Sequence, residues 1–281
     1  MNYSLQNFAG IPLHMDRLAV ADRLASLKSG ISHKPEPKSD SMEEWLCSRL
    51  KHLDLEYDPA SGIASFQICG VMWLGASMLE EYFYDIYDTR RIARNLQEAA
   101  AIQGIKGLVI RVNSPGGLAR GVDAAARAVL DFQANTGVDA RAFIETIGAS
   151  AAYYAVSGCT AIHATPESLV GSIGTMAVAV DSSRMFEEFG YDLTLYTGGA
   201  KLKGMGSAGI KWPEEWHAKL SGDVQDLREE FVGFVKATRP GIGEDSFKGD
   251  AFEARKAPRG MVDRLFSDFD AFLAEYADAL A

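Results

Sequence analysis

Glu145-Thr-Ile-Gly-Ala-Ser-Ala-Ala-Tyr-Tyr154 starts as a β-prone run, passes through small residues and ends as a helix-like segment, with Ser150 at the change. Upstream, Gly107-Leu-Val-Ile-Arg-Val112 reads as a short buried strand that runs straight into Asn113-Ser-Pro-Gly-Gly117. A helix is expected over about 119–134, a strand over 140–145, a helix over 150–157 and a short strand over 161–164. Alternation of this kind argues for an α/β fold with a parallel β-sheet core, right-handed crossovers and flanking helices.

The pattern continues on both sides. Residues 175–180 form an apolar run, 182–189 read as a helix, 192–196 as a strand and 213–238 as a long amphipathic helix. Pro213 suits the first turn of that helix and Pro240-Gly241 stops it. Toward the N-terminus, residues 88–103 carry a helical stripe of Ile92, Leu96 and Ala99. Residues 63–74 are apolar and β-prone, broken at Gly70 by a bulge or hairpin. The first sixty residues read differently: a short helix over 18–27, a polar proline-bearing linker over 30–40 and a second helix over 42–53. Residues 1–60 are therefore expected to be an N-terminal helical extension, packed on or swapped between subunits, and 61–281 the main domain. No internal repeat at a solenoid period is visible.

The 281 residues suffice for one large domain or two small ones, and 47% apolar with 23% charged residues is ordinary for a soluble protein. A net charge of −10 argues against a nucleic-acid binder or an anionic-membrane surface. Cys47, Cys69 and Cys159 show no metal or redox spacing and read as small hydrophobes in a reducing compartment. The N-terminus shows no secretory pattern, and no apolar run approaches the roughly 18 residues of a membrane span. A cytoplasmic protein is expected.

Three segments carry chemistry. A serine hydroxyl is a poor nucleophile until a base removes its proton, and a helix start adds a favourable dipole for a developing oxyanion. Small neighbours at Gly148, Ala149, Ala151 and Ala152 let a substrate backbone approach Ser150. A serine N-cap is the plainer explanation of that residue. Gly116 and Gly117 follow a strand, where α/β sheets bind ligands, and can aim N–H groups at a carbonyl oxygen; a simple strand-to-helix turn explains them equally well. The loop lacks the lysine and spacing of a phosphate-binding loop. A lysine base must sit in a largely uncharged pocket, because an ordinary lysine is neutral in only about one molecule in a few thousand at pH 7. Residues 197–210 hold Lys201 and Lys203 without an acidic residue, and both qualify. His163 is expected to line the core or an interface, and the Tyr153-Tyr154 pair to pack beneath the helix, with one ring lining a substrate pocket as the alternative. Glu214 and Glu215 suit a helix start. No metal-ligand spacing is present.

These segments resemble the S49 peptidases, the group that holds signal peptide peptidase A and the prohead proteases of many tailed phages. The markers are Arg111-Val-Asn-Ser-Pro-Gly-Gly117, Ala149-Ser-Ala-Ala-Tyr-Tyr154, Ala164-Thr-Pro-Glu-Ser-Leu-Val-Gly-Ser-Ile-Gly174, Lys201-Leu-Lys-Gly-Met-Gly-Ser207 and Gly260-Met-Val-Asp263. They stand in the family's order, and the resemblance covers about residues 63–265. The resemblance implies a ClpP/crotonase-like fold for 61–281, Ser150 as nucleophile, Lys203 as general base with Lys201 as the alternative, and the N–H groups of Gly117 and Ala151 as oxyanion donors. It implies protein or peptide substrates, no metal or nucleotide cofactor, and a ring-like homo-oligomer in which a neighbouring subunit can donate the lysine. The chain departs from the common Ser-Gly-Gly-Tyr-Tyr at the nucleophile, where added methyls narrow the substrate's approach, and has Gly204 where many members have an acidic residue.

The opening Phe8-Ala-Gly-Ile-Pro-Leu-His14 resembles that of phage prohead proteases, so capsid maturation by cleavage of scaffold and coat proteins is the expected role. The runner-up is a soluble signal-peptide-peptidase-like enzyme that degrades hydrophobic peptides. From other classes, an acyl-CoA enzyme of crotonase type would need an adenine-nucleotide pocket. An inactive structural protein of the capsid would behave identically without Ser150 and Lys203.

Overall fold

The structure, a computed structural model, describes residues 13–15 and 42–281. The helix and linker expected within residues 16–41, and the start of the Phe8–His14 motif, lie outside the described residues. In chain order the first half comprises β1 (Leu13–Met15), α1 (Met42–Leu50), β2 (Glu56–Asp58), β3 (Ile63–Cys69), β4 (Val71–Trp73), α2 (Met78–Tyr84), β5 (Ile86–Asp88), α3 (Arg90–Ala100), β6 (Gly107–Ser114) and β7 (Gly116–Leu118). The second half comprises α4 (Val122–Thr136), β8 (Ala140–Ala149), α5 (Ala151–Val156), β9 (Ala161–Ala164), β10 (Leu169–Gly171), α6 (Ser183–Glu188), α7 (Glu214–Thr238), β11 (Ala251–Glu253), β12 (Arg264–Leu265) and α8 (Phe269–Leu280).

The expected parallel α/β core is present. The larger sheet runs β11-β10-β8-β6-β3-β2, parallel from β10 through β3 and closed by antiparallel edges at β11 and β2. β8 is long enough to serve two neighbours: its first half pairs with β9 and its last three residues with β10. A smaller sheet runs β1-β7-β4-β5. The break at Gly70 makes neither a bulge nor a hairpin. With φ at +84° and Asp85 O where a Cβ would stand, Gly70 turns the chain from β3 in one sheet to β4 in the other.

Parallel strands covered on both faces read as nearly continuous apolar runs, and β6 is such a strand. Leu108, Ile110 and Val112 enter the main core with α3, α4, α5 and α7, while Val109 faces Phe143, Phe272 and Tyr276 beneath α8. Leu50 and Leu53 join the main core as well. Among the described residues no helix is long and apolar enough to cross a membrane.

One expectation fails locally. Residues 192–196 form no strand, and Leu193, Leu195 and Tyr196 are exposed, as are Val178 and Val180 of the apolar run. Alternating β-prone residues need a partner strand to satisfy their peptide groups, and residues 192–196 meet none within the described chain.

Candidate active site

The strand β8 and the helix α5 meet at a single residue, Ser150. Its backbone is bent to φ 54° and ψ −124°, a region in which a Cβ-bearing residue costs on the order of 1–3 kcal/mol. The bend is held from both sides. The Ser150 N–H donates to Gly171 O at 2.7 Å, and Ser150 O accepts from the Tyr154 N–H at 2.9 Å. Its Oγ is buried and has no hydrogen-bond partner. A sharp, strained strand-to-helix turn is one geometry that can present a serine hydroxyl, although here the Oγ is buried. Because the Ser150 N–H is already engaged, an oxyanion at this corner would have to use the next N–H, that of Ala151, which has no intrahelical acceptor.

All six residues of α5 are buried. Tyr153 donates its phenol proton to Met261 O at 3.0 Å, and Tyr154 donates to Asp123 Oδ1 at 2.9 Å while stacking on Phe231 at 4.5 Å. Both rings pack beneath the helix, and burial drives both phenols above their ordinary range, so they stay neutral.

The glycine turn comes to the same corner. A register shift after Val112 sets Ser114 opposite Gly148, two residues before Ser150. Ser114 Oγ donates to Gly70 O at 2.6 Å and accepts from the Gly116 N–H at 3.2 Å, which pins the entry to β7. β7 then packs on α5. Gly117 pairs with Met72 of β4, so close that an added Cβ would stand 2.0 Å from Met72 O. Any side chain there would push β7 off its neighbour.

The residue that supports the serine from the next strand escaped the sequence reading. Gly171 ends β10 at φ +102°, and a Cβ on it would stand 2.6 Å from Met261 Cε and 3.1 Å from Asp250 O. Ser172 follows at φ 51° and donates its N–H to Asp250 O at 2.7 Å. The Val170-Gly171-Ser172 kink and the Gly260-Met261 turn thus form one clamp on the carbonyl that holds Ser150. Both stretches were visible as motifs, but nothing in them names the hydrogen bond they serve.

The lysines stand apart from this corner. Lys201 and Lys203 are exposed, and neither contacts Ser150 Oγ. Trp216 Nε1 donates to Lys201 O at 3.0 Å and ties the loop to the start of α7. Lys201 Nζ lies 3.9 Å from Glu215 Oε2, whereas among the described residues no such ion pair reaches Lys203.

His163 is buried between Phe266 and Phe272, with both ring nitrogens unpaired. Burial, aided by the Arg141 charge, lowers its pKa to about 4. It lies opposite Phe143, and the seven residues from there to Ser150 span roughly 23 Å of strand, so it belongs to the core and not to the site. The Cys159 thiol is buried and its pKa is pushed up to about 12. Among the described residues no cluster of three or more His, Cys, Asp or Glu side chains could hold a metal ion.

The sequence profile of peptidase family S49 matches residues 134–278, a stretch running from the end of α4 through β8, Ser150, both lysines and α8. The chain belongs to peptidase family S49. An Enterococcus faecium protein named as a signal peptide peptidase SppA is 27% identical over 191 residues, 66% of this chain and 54% of that protein. The head-tail preconnector protein GP5 of Enterobacteria phage P21 is 28% identical over 181 residues, 63% of this chain and 35% of that protein. The chain thus spans about half or less of the length of these relatives. An enoyl-CoA hydratase from Shewanella pealeana, over 85% of this chain and 77% of that one, is similar in structure at a TM-score of 0.46 with 12% identity.

Proposed function

We propose that this S49 chain is a serine endopeptidase in which Ser150 is the nucleophile and Lys203 the general base. The observation that carries the reading is the backbone of Ser150, held in a strained conformation by Gly171 O with its hydroxyl buried and unpaired. A structural serine would exchange that strain for a relaxed cap and that hydroxyl for a partner. In the reaction a neutral lysine amine takes the Oγ proton as Oγ attacks the scissile carbonyl. The N–H groups of Gly117 and Ala151 receive the oxyanion. The intermediate collapses with the lysine returning its proton to the leaving amine. A water, deprotonated by the same amine, then hydrolyses the acyl-serine and restores both groups.

Lys203 is preferred over Lys201 because it directly precedes the Gly204-Met-Gly-Ser207 run through which the S49 resemblance aligns the base, while the Lys201 amine lies near Glu215. Neither lysine reaches Ser150 within one chain, which supports a base donated by a neighbouring copy in a ring-like oligomer. The segment that carries the lysines also exposes Phe189, Tyr191 and Tyr196, with Tyr196 at 89%, an apolar surface of the kind that marks interfaces. Processing of phage capsid proteins is the preferred role, supported by the likeness to a phage head-tail preconnector protein. The likeness to a signal peptide peptidase favours, second, cleavage of hydrophobic peptides.

The test is cleavage of an unfolded protein at about pH 8 by wild type, Ser150→Ala, Lys201→Ala and Lys203→Ala. Loss in Ser150→Ala and Lys203→Ala alone is expected, with the wild-type rate rising from about pH 6 to 9 as a lysine base deprotonates. An inert wild type, or cleavage that survives Ser150→Ala, overturns the reading. With the base in trans, a mixture of Ser150→Ala and Lys203→Ala subunits recovers activity that neither has alone.

A further inference from the structure

The strand that bears Gly117 has two edges, and both are taken. One edge of β7 lies along β4, through Gly117 opposite Met72. The other is occupied by the chain's own N-terminal segment: β1 runs antiparallel to β7 with Leu13 opposite Leu118, His14 opposite Gly117 and Met15 opposite Gly116. A peptide lying extended beside the glycine strand, the common way for a sheet edge to bind a peptide, would need the edge that β1 fills. Independently, Ser150 Oγ has no accessible surface in this state, so a substrate carbonyl cannot reach it without a rearrangement.

We propose that residues 13–15 are an intramolecular occupant of the peptide-binding edge of β7, holding it until a longer extended peptide displaces them. Three residues of antiparallel pairing are weak by themselves, since an isolated short pair is marginal in water. Because residues 13–15 belong to the same chain their pairing is intramolecular, which favours filling the edge, while its shortness lets it yield to a substrate that pairs over more residues. The inference rests on the peptidase reading only in identifying the displacing peptide as a substrate.

The test uses the full chain carrying Leu13→Pro together with His14→Pro. Neighbouring N–H groups of a strand point to opposite sides, so one of the two prolines removes a donor facing β7 whichever way the ladder runs. The probe is a fluorescent peptide of residues 9–19, Ala-Gly-Ile-Pro-Leu-His-Met-Asp-Arg-Leu-Ala, followed by anisotropy. The proline variant should bind it at least tenfold more tightly than wild type, and a peptide carrying the same two prolines should bind neither. A second variant with Leu13→Gly, His14→Gly and Met15→Gly, which keeps every N–H, should behave as the proline variant does. Equal binding by wild type and both variants, or no binding by either variant, overturns the proposal. In cleavage assays the variants should show a lower KM at unchanged kcat, the pattern of a removed competitor. Tighter peptide binding with no cleavage by any form would leave the occupant in place and overturn the peptidase reading. Cleavage by wild type with KM and peptide affinity unmoved in the variants would do the reverse.

Discussion

Ser150 is a residue whose local cost and proposed chemical use can be separated. Replacing it with alanine should abolish cleavage, by about 10³-fold or more, while leaving the strained backbone in place. Replacing it with glycine should also abolish cleavage but raise stability by about 1 kcal/mol in urea unfolding, because glycine adopts φ 54° without a Cβ clash. A glycine variant no more stable than the alanine variant would show that the corner is not strained. Gly171 tests the support from the other strand. Gly171→Ala places a methyl against Met261 Cε and Asp250 O at a φ of +102°, so the carbonyl that holds Ser150 must move. The expected result is a large loss of kcat with KM nearly unchanged, the mark of a positioning residue. The sequence exposed the serine and the paired glycines because small residues after β-prone runs are rare enough to notice. It hid Gly171, because a hydrogen bond between residues 21 apart in the chain leaves no periodicity.

Among the elements, α8 shows how much of the sheet's stability sits far from the chemistry. Phe272 packs among Phe143, Phe266, Phe269 and Tyr276, so Phe272→Ala should cost about 3–5 kcal/mol in denaturant unfolding with the chemistry of Ser150 untouched. His163 lies in the same layer. Its folded-state pKa, near 4, is below the ordinary 6.5, so the stability it contributes is fully present above pH 6.5 and is lost as the pH falls toward 4. The melting temperature should therefore drop through that window, and His163→Leu should flatten the drop. An equal acid loss in His163→Leu would place the titration elsewhere, in the carboxylates. The helices expected over 88–103, 119–134 and 213–238 formed close to their expected bounds, since each carries its own periodicity and stops. β7, β10 and β11 are three residues each, too short for a period, and exist only through the strands that pair with them.

At the scale of the whole molecule, the stretch from 178 to 202 stands out as apolar surface that the described chain does not cover. Under the proposed oligomer it is buried against a second copy. Phe189→Asp with Tyr196→Asp should then give a monomer in sedimentation velocity and lose the activity that depends on a donated lysine. A double variant that sediments as wild type would detach the segment from assembly. The strand expected over 192–196 belongs to the same account: its alternation is genuine, but a strand is a property of pairs, and the partner is not in this chain's described residues.

Local patterning determined the alternation of strands and helices, the parallel core and the serine, glycine and lysine segments, because each of these is written in neighbouring residues. Tertiary structure alone decided the bend at Ser150, the Gly171–Met261 clamp beneath it, the separation of both lysines from the serine and the seating of residues 13–15 on β7. Each of these depends on peptide groups brought together from distant parts of the chain, and a backbone hydrogen bond carries no side-chain identity for a sequence to display.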